Sequence, residues 1–214
     1  DAAPAVAGLL PQLLDGVGAG LVREVILSDG GSGDDIAELA EGVGAELIVG
    51  SAGRGGQLRR GVAAARGDWL LCLHADTRLP DGWASIVQGA MADDSRAHVF
   101  RLAFRAEGLA PRLVAGWANV RTGLFRLPYG DQGLLISRHH YNQVGGFRPI
   151  PIMEDVDIVR RIGRRDLTVL DCSAVTSARR YRNEGYLRRM SRNIVCLSMW
   201  FLGVAPEKIA KAYS

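Results

Sequence analysis

Acidic side chains follow apolar runs of this chain at points where strands are predicted to end. Residues 69–73 form an apolar run of strand length that stops at His74, Ala75 and Asp76. In an open α/β sheet, ligands bind outside the carboxyl ends of the strands, where Asp76 is expected. One or two carboxylates plus substrate phosphates suffice to hold a hard divalent cation. Asp76 is therefore a candidate Mg²⁺ or Mn²⁺ ligand, and the alternative is a cap on the next turn.

A second strand candidate, residues 22–27 (VREVIL), ends in SDGGSGDD. Its glycines, beginning with Gly30, allow a ligand to approach the backbone closely, and Asp29 is placed to hydrogen-bond a ribose or a base edge. A turn followed by a helix N-cap explains the same residues about as well.

Residues 51–65, SAGRGGQLRRGVAAA, combine a glycine-rich turn with basic and amide side chains at a predicted helix start. Arg54 and Gln57 could bind an anion there, because a helix N-terminus adds backbone donors and partial positive charge. The segment lacks the GK[ST] of a P-loop. A solvated helix start is an equally good interpretation.

Glu154 and Asp155 stand together at the start of a predicted helix, residues 156–162. Adjacent acids at this position often only complement the helix dipole. Two such carboxylates can also divide labour, one orienting a substrate hydroxyl and the other removing its proton as a general base.

Ten arginines and three acids lie between residues 160 and 192, which indicates an anionic partner. Arg179 and Arg180 are suited to neutralise a departing diphosphate. The helix beyond them carries arginines and large apolar residues, and it fits either a peripheral contact with anionic lipid or a solvated basic face. These residues are Arg188, Arg189, Arg192, Met199, Trp200 and Phe201. The aromatic content of 7% argues against nucleic acid.

The supporting elements alternate between strand and helix, which predicts an α/β fold with a mostly parallel, Rossmann-like sheet flanked by helices in a single domain. At 214 residues and 48% hydrophobic composition, the chain can form one well-packed core. The predicted helices are 1–16, 36–43, one from Gln57, 83–91, 109–124 and 156–162. The predicted strands are 22–27, 45–49, 69–73, 97–104 as a sheet edge and 134–137, with a loop at 130–133 and a turn at 142–147.

The three cysteines, Cys72, Cys172 and Cys196, are far apart and show no CxxC spacing, so they are predicted to be reduced and buried. The apolar stretch at residues 194–204 is shorter than the ~20 residues that span a bilayer. We therefore expect a cytoplasmic protein that is soluble or lies at the inner face of the membrane.

Taken in order, these segments resemble the family-2 glycosyltransferases of the GT-A fold over nearly the whole chain. SDGGSGDD looks like the nucleotide-contacting motif, GRGGQLRRG like the loop that follows it, HADTRLP like the DxD-type metal motif, and MEDVDIVRR like the motif that supplies the base. The resemblance implies that Asp29 contacts base or ribose, Asp76 holds the metal, Asp155 is the base and Glu154 supports the acceptor. It further implies a nucleotide-binding half at 1–95, an acceptor and base half at 96–178, and a basic helical tail at 179–214.

TSARRYRNEG and LGVAPEKIAKAY are more narrowly similar to a bacterial branch labelled radical-SAM/selenodomain-associated transferases. Two features depart from the family. His74 replaces the first acid of the DxD pattern, where it would ligate the metal or orient a metal-bound water. The family also opens with a buried strand, and we expect that strand to lie ahead of Asp1.

The resemblance implies an inverting, metal-assisted transfer of a sugar from a nucleotide-diphosphate donor to an acceptor hydroxyl. In the loop GDQG, Asp131 and Gln132 are candidates for touching the acceptor. The alternatives are a nucleotidyltransferase and a catalytically silent nucleotide-binding or membrane-surface module. The sugar, the acceptor and the oligomeric state are open.

Overall fold

The structure is a computed structural model that describes residues 2–213, and helices and strands alternate through that range. Its helices are α1 (Ala3–Ala7), α2 (Leu10–Gly18), α3 (Ile36–Gly42), α4 (Arg54–Ala64), α5 (Trp83–Ala90), α6 (Leu109–Phe125), α7 (Arg138–Gln143), α8 (Glu154–Ile162), α9 (Arg179–Glu184), α10 (Tyr186–Phe201) and α11 (Pro206–Tyr213). Its strands are β1 (Ile26–Asp29), β2 (Glu46–Val49), β3 (Trp69–Cys72), β4 (Ala97–Phe104), β5 (Leu134–Ser137) and β6 (Leu167–Thr176), and a 3₁₀ turn spans Gly130–Gln132. None of the helices between residues 2 and 213 has the length and apolarity needed to cross a membrane.

The strands form two sheets in which one direction dominates. β1 and β2 pair in parallel, and the second sheet has the order β3-β5-β4-β6. β5 is antiparallel to both β3 and β4, whereas β4 and β6 are parallel. β3, β4 and β6 therefore run in the same direction and β5 runs against them. This arrangement confirms the predicted α/β fold with a mostly parallel sheet.

Helices cover both faces of the four-stranded sheet. Ile136 of β5 packs on one face with Val62 of α4 and Ile158 of α8. The adjacent Leu135 packs on the other face with Trp83 of α5. Neighbouring side chains of a strand point to opposite faces, so this short strand contributes to both cores.

Strand β4 has the predicted bounds but a different place in the sheet. The sequence predicted an edge strand at residues 97–104, and that prediction is wrong because β4 lies between β5 and β6. Five of its side chains, Ala97, His98, Val99, Phe100 and Leu102, are buried. The strand beyond it, β6, was not predicted from the sequence.

Two other predicted elements differ in the structure. The helix predicted over residues 1–16 is divided into α1 and α2, and residue 1 lies outside the described residues. Pro11 has no amide hydrogen to donate to Ala7, so a continuous helix would lose a hydrogen bond there. The first two residues of the turn predicted at 142–147 belong instead to the end of α7, and the turn itself follows Gln143. Ser137 caps the start of α7 by accepting a hydrogen bond from His140 N at 3.1 Å.

A cleft separates β1 from β3, which belong to different sheets. One continuous cavity of about 1530 Å³, here called the central cavity, extends from this cleft to the carboxyl ends of both strands. Apolar side chains such as Leu27 and Leu71 line the cleft. The expectation of a further strand stays a prediction.

The C-terminal helices place their arginines differently from the sequence prediction. Arg189 is buried and pairs with Glu184 at 3.0 Å, and Arg192 contacts the same carboxylate. Arg188 is the exposed arginine of α10 within the described residues. The predicted solvated basic face of α10 is therefore wrong for two of its three arginines, because these two turn toward Glu184.

All three cysteines are free, but only Cys196 is fully buried.

Candidate active site

Acidic side chains from separate segments line the central cavity where the strands end. Asp29 closes β1, Asp76 follows β3, Asp131 lies in the 3₁₀ turn, and Asp155 lies in the first turn of α8. The negative charges of Asp76 and Asp155 both act on Asp131. The structure therefore brings together acids that are up to 126 residues apart in the sequence.

Asp155 presents a carboxylate that backbone amides hold in place. Its Oδ2 accepts a hydrogen bond from Gly130 N at 2.7 Å, and its Oδ1 accepts one from Val156 N at 2.7 Å. These two amides fix the orientation of the carboxylate. Each carboxylate oxygen has a further lone pair, so Asp155 can still accept a proton from a molecule in the central cavity.

The residue before these acids has an unusual backbone conformation. Met153 caps α8 with a φ of 65° and a ψ of 19°, the left-handed region. A non-glycine residue in this region costs about 1–3 kcal/mol, and such conformations cluster at functional sites. Here it turns the chain so that α8 begins with Glu154 and Asp155.

Arg54 links the two halves of the site. It is the first residue of α4, and its Nε lies 3.1 Å from Glu154 Oε1. Its guanidinium also contacts Nε2 of His74. Burial opposes the charge of Arg54, but the carboxylates of Glu154 and Asp155 outweigh it and raise the pKa of Arg54.

His74 is a neutral acceptor for this guanidinium. Burial, with the charges of Arg54 and Arg180, lowers the pKa of His74 to about 3. A guanidinium can only donate, so Nε2 of His74 accepts and Nδ1 carries the proton. In this arrangement His74 has no nitrogen lone pair left for a metal.

Glu154 pairs with Arg54 and does not line the central cavity, so its predicted support of the acceptor stays a prediction. Its side chain is 1% exposed. Burial and the charge of Asp155 raise the pKa of Glu154 to about 7, against the opposing effect of Arg54. Glu154 is therefore placed to position Arg54.

The loop after α6 carries two predicted site residues, and only one of them faces the central cavity. Asp131 lines the cavity, and burial raises the pKa of Asp131 to about 6. Gln132 is fully buried and does not line the cavity: its Oε1 accepts from Thr122 Oγ1 at 2.8 Å, and its Nε2 donates to Phe100 O at 2.9 Å. Gln132 thus fixes the loop that carries Asp131.

The loop after β1 is held by its own side chains. Asp29 accepts hydrogen bonds from Gly31 N and Ser32 N, and the Ser32 hydroxyl bond is the main cause of its lowered pKa. Gln57 donates to Ser28 O at 2.9 Å, so it joins α4 to β1. Gly30 lies outside the cavity lining, and a Cβ there would lie 3.3 Å from the Gln57 amide group.

Arg179 and Arg180 open α9 and line the same central cavity as Asp155 and Asp76. Neither forms an ion pair with an acid of residues 2–213, which leaves both available to an anionic ligand. Sequence analysis missed the aromatic wall beside them, where Tyr181 stacks on Tyr186 at 5.6 Å. The tyrosines within the basic segment YRNEGYLRR were the available signal.

The acidic side chains of the cavity supply only part of the ligand set of a divalent cation. No group of three or more His, Cys, Asp or Glu side chains in the described chain is arranged to hold a metal. Asp76 makes no hydrogen bond with residues 2–213, and a buried Oδ1 of Asp131 has no hydrogen-bond partner among them. Two carboxylates with substrate phosphates would suffice for Mg²⁺ or Mn²⁺.

A family model described as glycosyl transferase family 2 matches residues 3–150. The match covers more than half of the chain, and the chain belongs to this family. No curated protein matches the chain.

Solved structures share this fold at low sequence identity. A mannosyl-3-phosphoglycerate synthase from Rubrobacter xylanophilus is 20% identical, with a TM-score of 0.56 over 93% of this chain and 72% of that one. A mannosyltransferase from Pyrobaculum calidifontis, in complex with GDP-Man and Mn²⁺, is 18% identical, with a TM-score of 0.60 over 89% of this chain and 56% of that one.

A glucosyl-3-phosphoglycerate synthase from Mycobacterium tuberculosis has been solved with Mn²⁺, UDP-glucose and glycerol 3-phosphate. It is 19% identical, with a TM-score of 0.57 over 94% of this chain and 77% of that one. These three likenesses establish the shared fold.

Proposed function

We propose that this chain is an inverting glycosyltransferase that moves a sugar from a nucleotide-diphosphate donor to an acceptor hydroxyl. One observation carries the proposal: Asp155, Asp76, Arg54 and Arg180 line the same cavity at the carboxyl ends of the strands. Family membership supports glycosyl transfer as the reaction class. The similarity of TSARRYRNEG to the radical-SAM/selenodomain-associated branch supports membership of that branch as part of the proposal.

Asp155 is the proposed base. Its carboxylate takes the proton of the acceptor hydroxyl while that oxygen attacks the anomeric carbon. The bond from that carbon to the diphosphate oxygen breaks on the opposite face, and its electron pair stays with the diphosphate. A base of this kind contributes about 10²–10⁴-fold to the rate.

The arginines serve the leaving group. Arg179 and Arg180 bind the diphosphate as charge develops on it, since guanidinium groups form paired hydrogen bonds with phosphate oxygens. Arg54 is fixed by Glu154 and contributes from the α4 side. Pre-positioned charges of this kind often provide the largest part of transition-state stabilisation.

Asp76, with Asp131 beside it, is the proposed holder of Mg²⁺ or Mn²⁺. A bound cation would supply electrostatic stabilisation of the diphosphate.

The neighbours solved with Mn²⁺ and with GDP-Man or UDP-glucose support a nucleotide-hexose donor for this chain. The glycerol 3-phosphate in one of these complexes supports an acceptor that carries an anionic group. The three free cysteines support a reducing, cytoplasmic location.

The test is sugar transfer with radiolabelled UDP-glucose and GDP-mannose, using 3-phosphoglycerate and glycerol 3-phosphate as trial acceptors. Asp155→Asn should lower kcat by at least about 10²-fold while nucleotide affinity is kept, because the base acts only in the chemical step. Glu207→Gln is the matched control, because Glu207 is the second residue of α11 as Asp155 is of α8, and it is exposed.

If Asp155→Asn transferred sugar at the unaltered rate, Asp155 would not be the base. If the unaltered chain bound nucleotide but neither transferred sugar nor hydrolysed the donor, a silent nucleotide-binding module would replace the proposal.

A further inference from the structure

The outward face of α6 is apolar along its whole length. Its large exposed side chains recur every three or four residues, so they lie on one side of the helix. They are Leu109, Leu113, Trp117, Val120, Leu124 and Phe125. Leu113, in the middle of the stripe, is 72% exposed. A helix on the surface of a soluble domain normally exposes polar residues instead.

The outward face of α10 repeats this pattern. Its exposed apolar residues, together with the one that follows the helix, are Leu187, Ile194, Val195, Phe201 and Leu202. Leu187 is 81% exposed. The inward face of the same helix carries Arg189 and Asn193, which line the central cavity.

Contacts show that the two helices are neighbours. α6 and α10 pack against each other, and arginines from the α8 region lie at the ends of both. Arg160 lies over the Phe201 ring at 5.0 Å, and Arg164 donates to Leu124 O at 2.7 Å. We call the exposed residues of α6 and α10 together the α6/α10 surface.

The charge of the α6/α10 surface is mainly of one sign. Neither helix contains an Asp or a Glu. Exposed arginines border the apolar side chains at Arg112, Arg160, Arg164 and Arg188. Four arginines and one exposed acid, Glu107 just before α6, therefore border the apolar area, and its border is mainly positive.

We propose that the α6/α10 surface binds an anionic phospholipid bilayer. Helices with large apolar residues flanked by arginine insert at the boundary between headgroups and acyl chains, and each arginine gains from the negative surface potential. A second copy of the chain fits less well. In a symmetric dimer the arginines of the two copies would face each other, and neither helix has an acid that could form an ion pair with them. A nucleic acid would leave the apolar residues without a partner.

This inference goes beyond the proposed transfer and does not depend on it. It places the bilayer about one helix diameter, ~10 Å, from the central cavity, since α10 separates the two. An acceptor presented at a membrane surface would then lie within reach of the cavity.

The test is sedimentation of the full chain with vesicles of phosphatidylcholine alone, or of phosphatidylcholine and phosphatidylglycerol in equal parts. We expect binding to the anionic vesicles, with a blue shift in fluorescence as Trp117 enters the bilayer. The double variant Leu113→Glu/Leu187→Glu should weaken binding at least about tenfold, because two exposed leucines no longer insert. Arg188→Gln should weaken it by about fivefold.

Leu14→Glu is the matched control, because Leu14 is a leucine of α2 that is 57% exposed and lies outside the α6/α10 surface. Equal binding by the double variant would overturn the proposal, as would no binding by the unaltered chain. A dimer in analytical ultracentrifugation that Leu113→Glu/Leu187→Glu dissociates would assign the surface to a second copy instead. Donor binding, measured separately, would be untouched by any of these results.

Discussion

At the level of single residues, the site depends on contacts too close for larger side chains. A Cβ on Gly130 would lie 2.9 Å from His74 Nε2 and 3.0 Å from the Arg54 guanidinium. The absence of a side chain at Gly130 lets its amide reach Asp155 while Arg54 and His74 stay in contact beside it. His74, which replaces an expected acid, thus becomes the neutral acceptor that orients Arg54.

Asp131 should make stability depend on pH. Burial raises the pKa of Asp131 to about 6, whereas an unfolded aspartate titrates near 3.9. Between these values the folded chain binds more protons than the unfolded chain, so stability falls as pH rises. Asp131→Asn removes this loss, and its melting temperature should therefore rise relative to the unaltered chain from pH 4 to pH 7. Thermal melts at several pH values measure the difference. A difference that is constant with pH would contradict the buried, shifted carboxyl.

At the level of elements, α4 must come unusually close to the backbone before α8. A Cβ on Gly55 would lie 2.2 Å from Arg148 O and 2.8 Å from Ile150 O. This close contact holds the start of α4, and with it Arg54, against the segment that leads to α8.

Gly55→Ala should therefore reduce the free energy of unfolding by about 1–3 kcal/mol, because backbone atoms must move to accept the methyl group. Gly56→Ala is the control in the same helix, since its Cβ would meet only Arg60, at 3.5 Å. That substitution should instead stabilise the chain by about 0.5–1 kcal/mol, as alanine favours helix. Urea denaturation of both variants gives the comparison. Equal effects would show that α4 does not pack on residues 148–150 in this way.

The sequence was informative where local pattern determines structure. β4 and β5 have their predicted bounds because predominantly apolar segments mark buried strands. The place of β4 inside the sheet could not be predicted, since it depends on pairing with β6, some 70 residues away. Helix α7, RHHYNQ, carries little apolar periodicity and depends on the Ser137 cap and the buried Tyr141.

In the candidate site, too, local features could be predicted from the sequence and long-range contacts could not. Its strand-end acids could be predicted, because a strand followed by an acid is visible in the chain. The contact of Arg54 with Glu154 could not, since it joins residues 100 positions apart. Gln132 likewise looks like a cavity residue in the sequence, and only its bonds to Thr122 and Phe100 show that it supports the loop.

At the level of the whole molecule, two surfaces meet at α10. Its inner side lines the central cavity and its outer side belongs to the apolar α6/α10 surface. The cavity combines acids that can hold a cation with unpaired arginines that can hold a diphosphate. A nucleotide-sugar donor requires both kinds of group, acids for the cation and arginines for the diphosphate.

The most direct test of this account is the melting temperature of the chain with UDP, GDP, dTDP and ADP, each with and without Mn²⁺ or Mg²⁺. A ligand at 100 times its Kd stabilises a protein by about 2.7 kcal/mol, a shift that is easily measured. We predict that at least one nucleoside diphosphate raises the melting temperature when metal is present. The shift should disappear in Asp76→Ala and persist in Asp155→Asn. No shift with any nucleotide, or an equal shift in Asp76→Ala, would contradict donor binding at the central cavity.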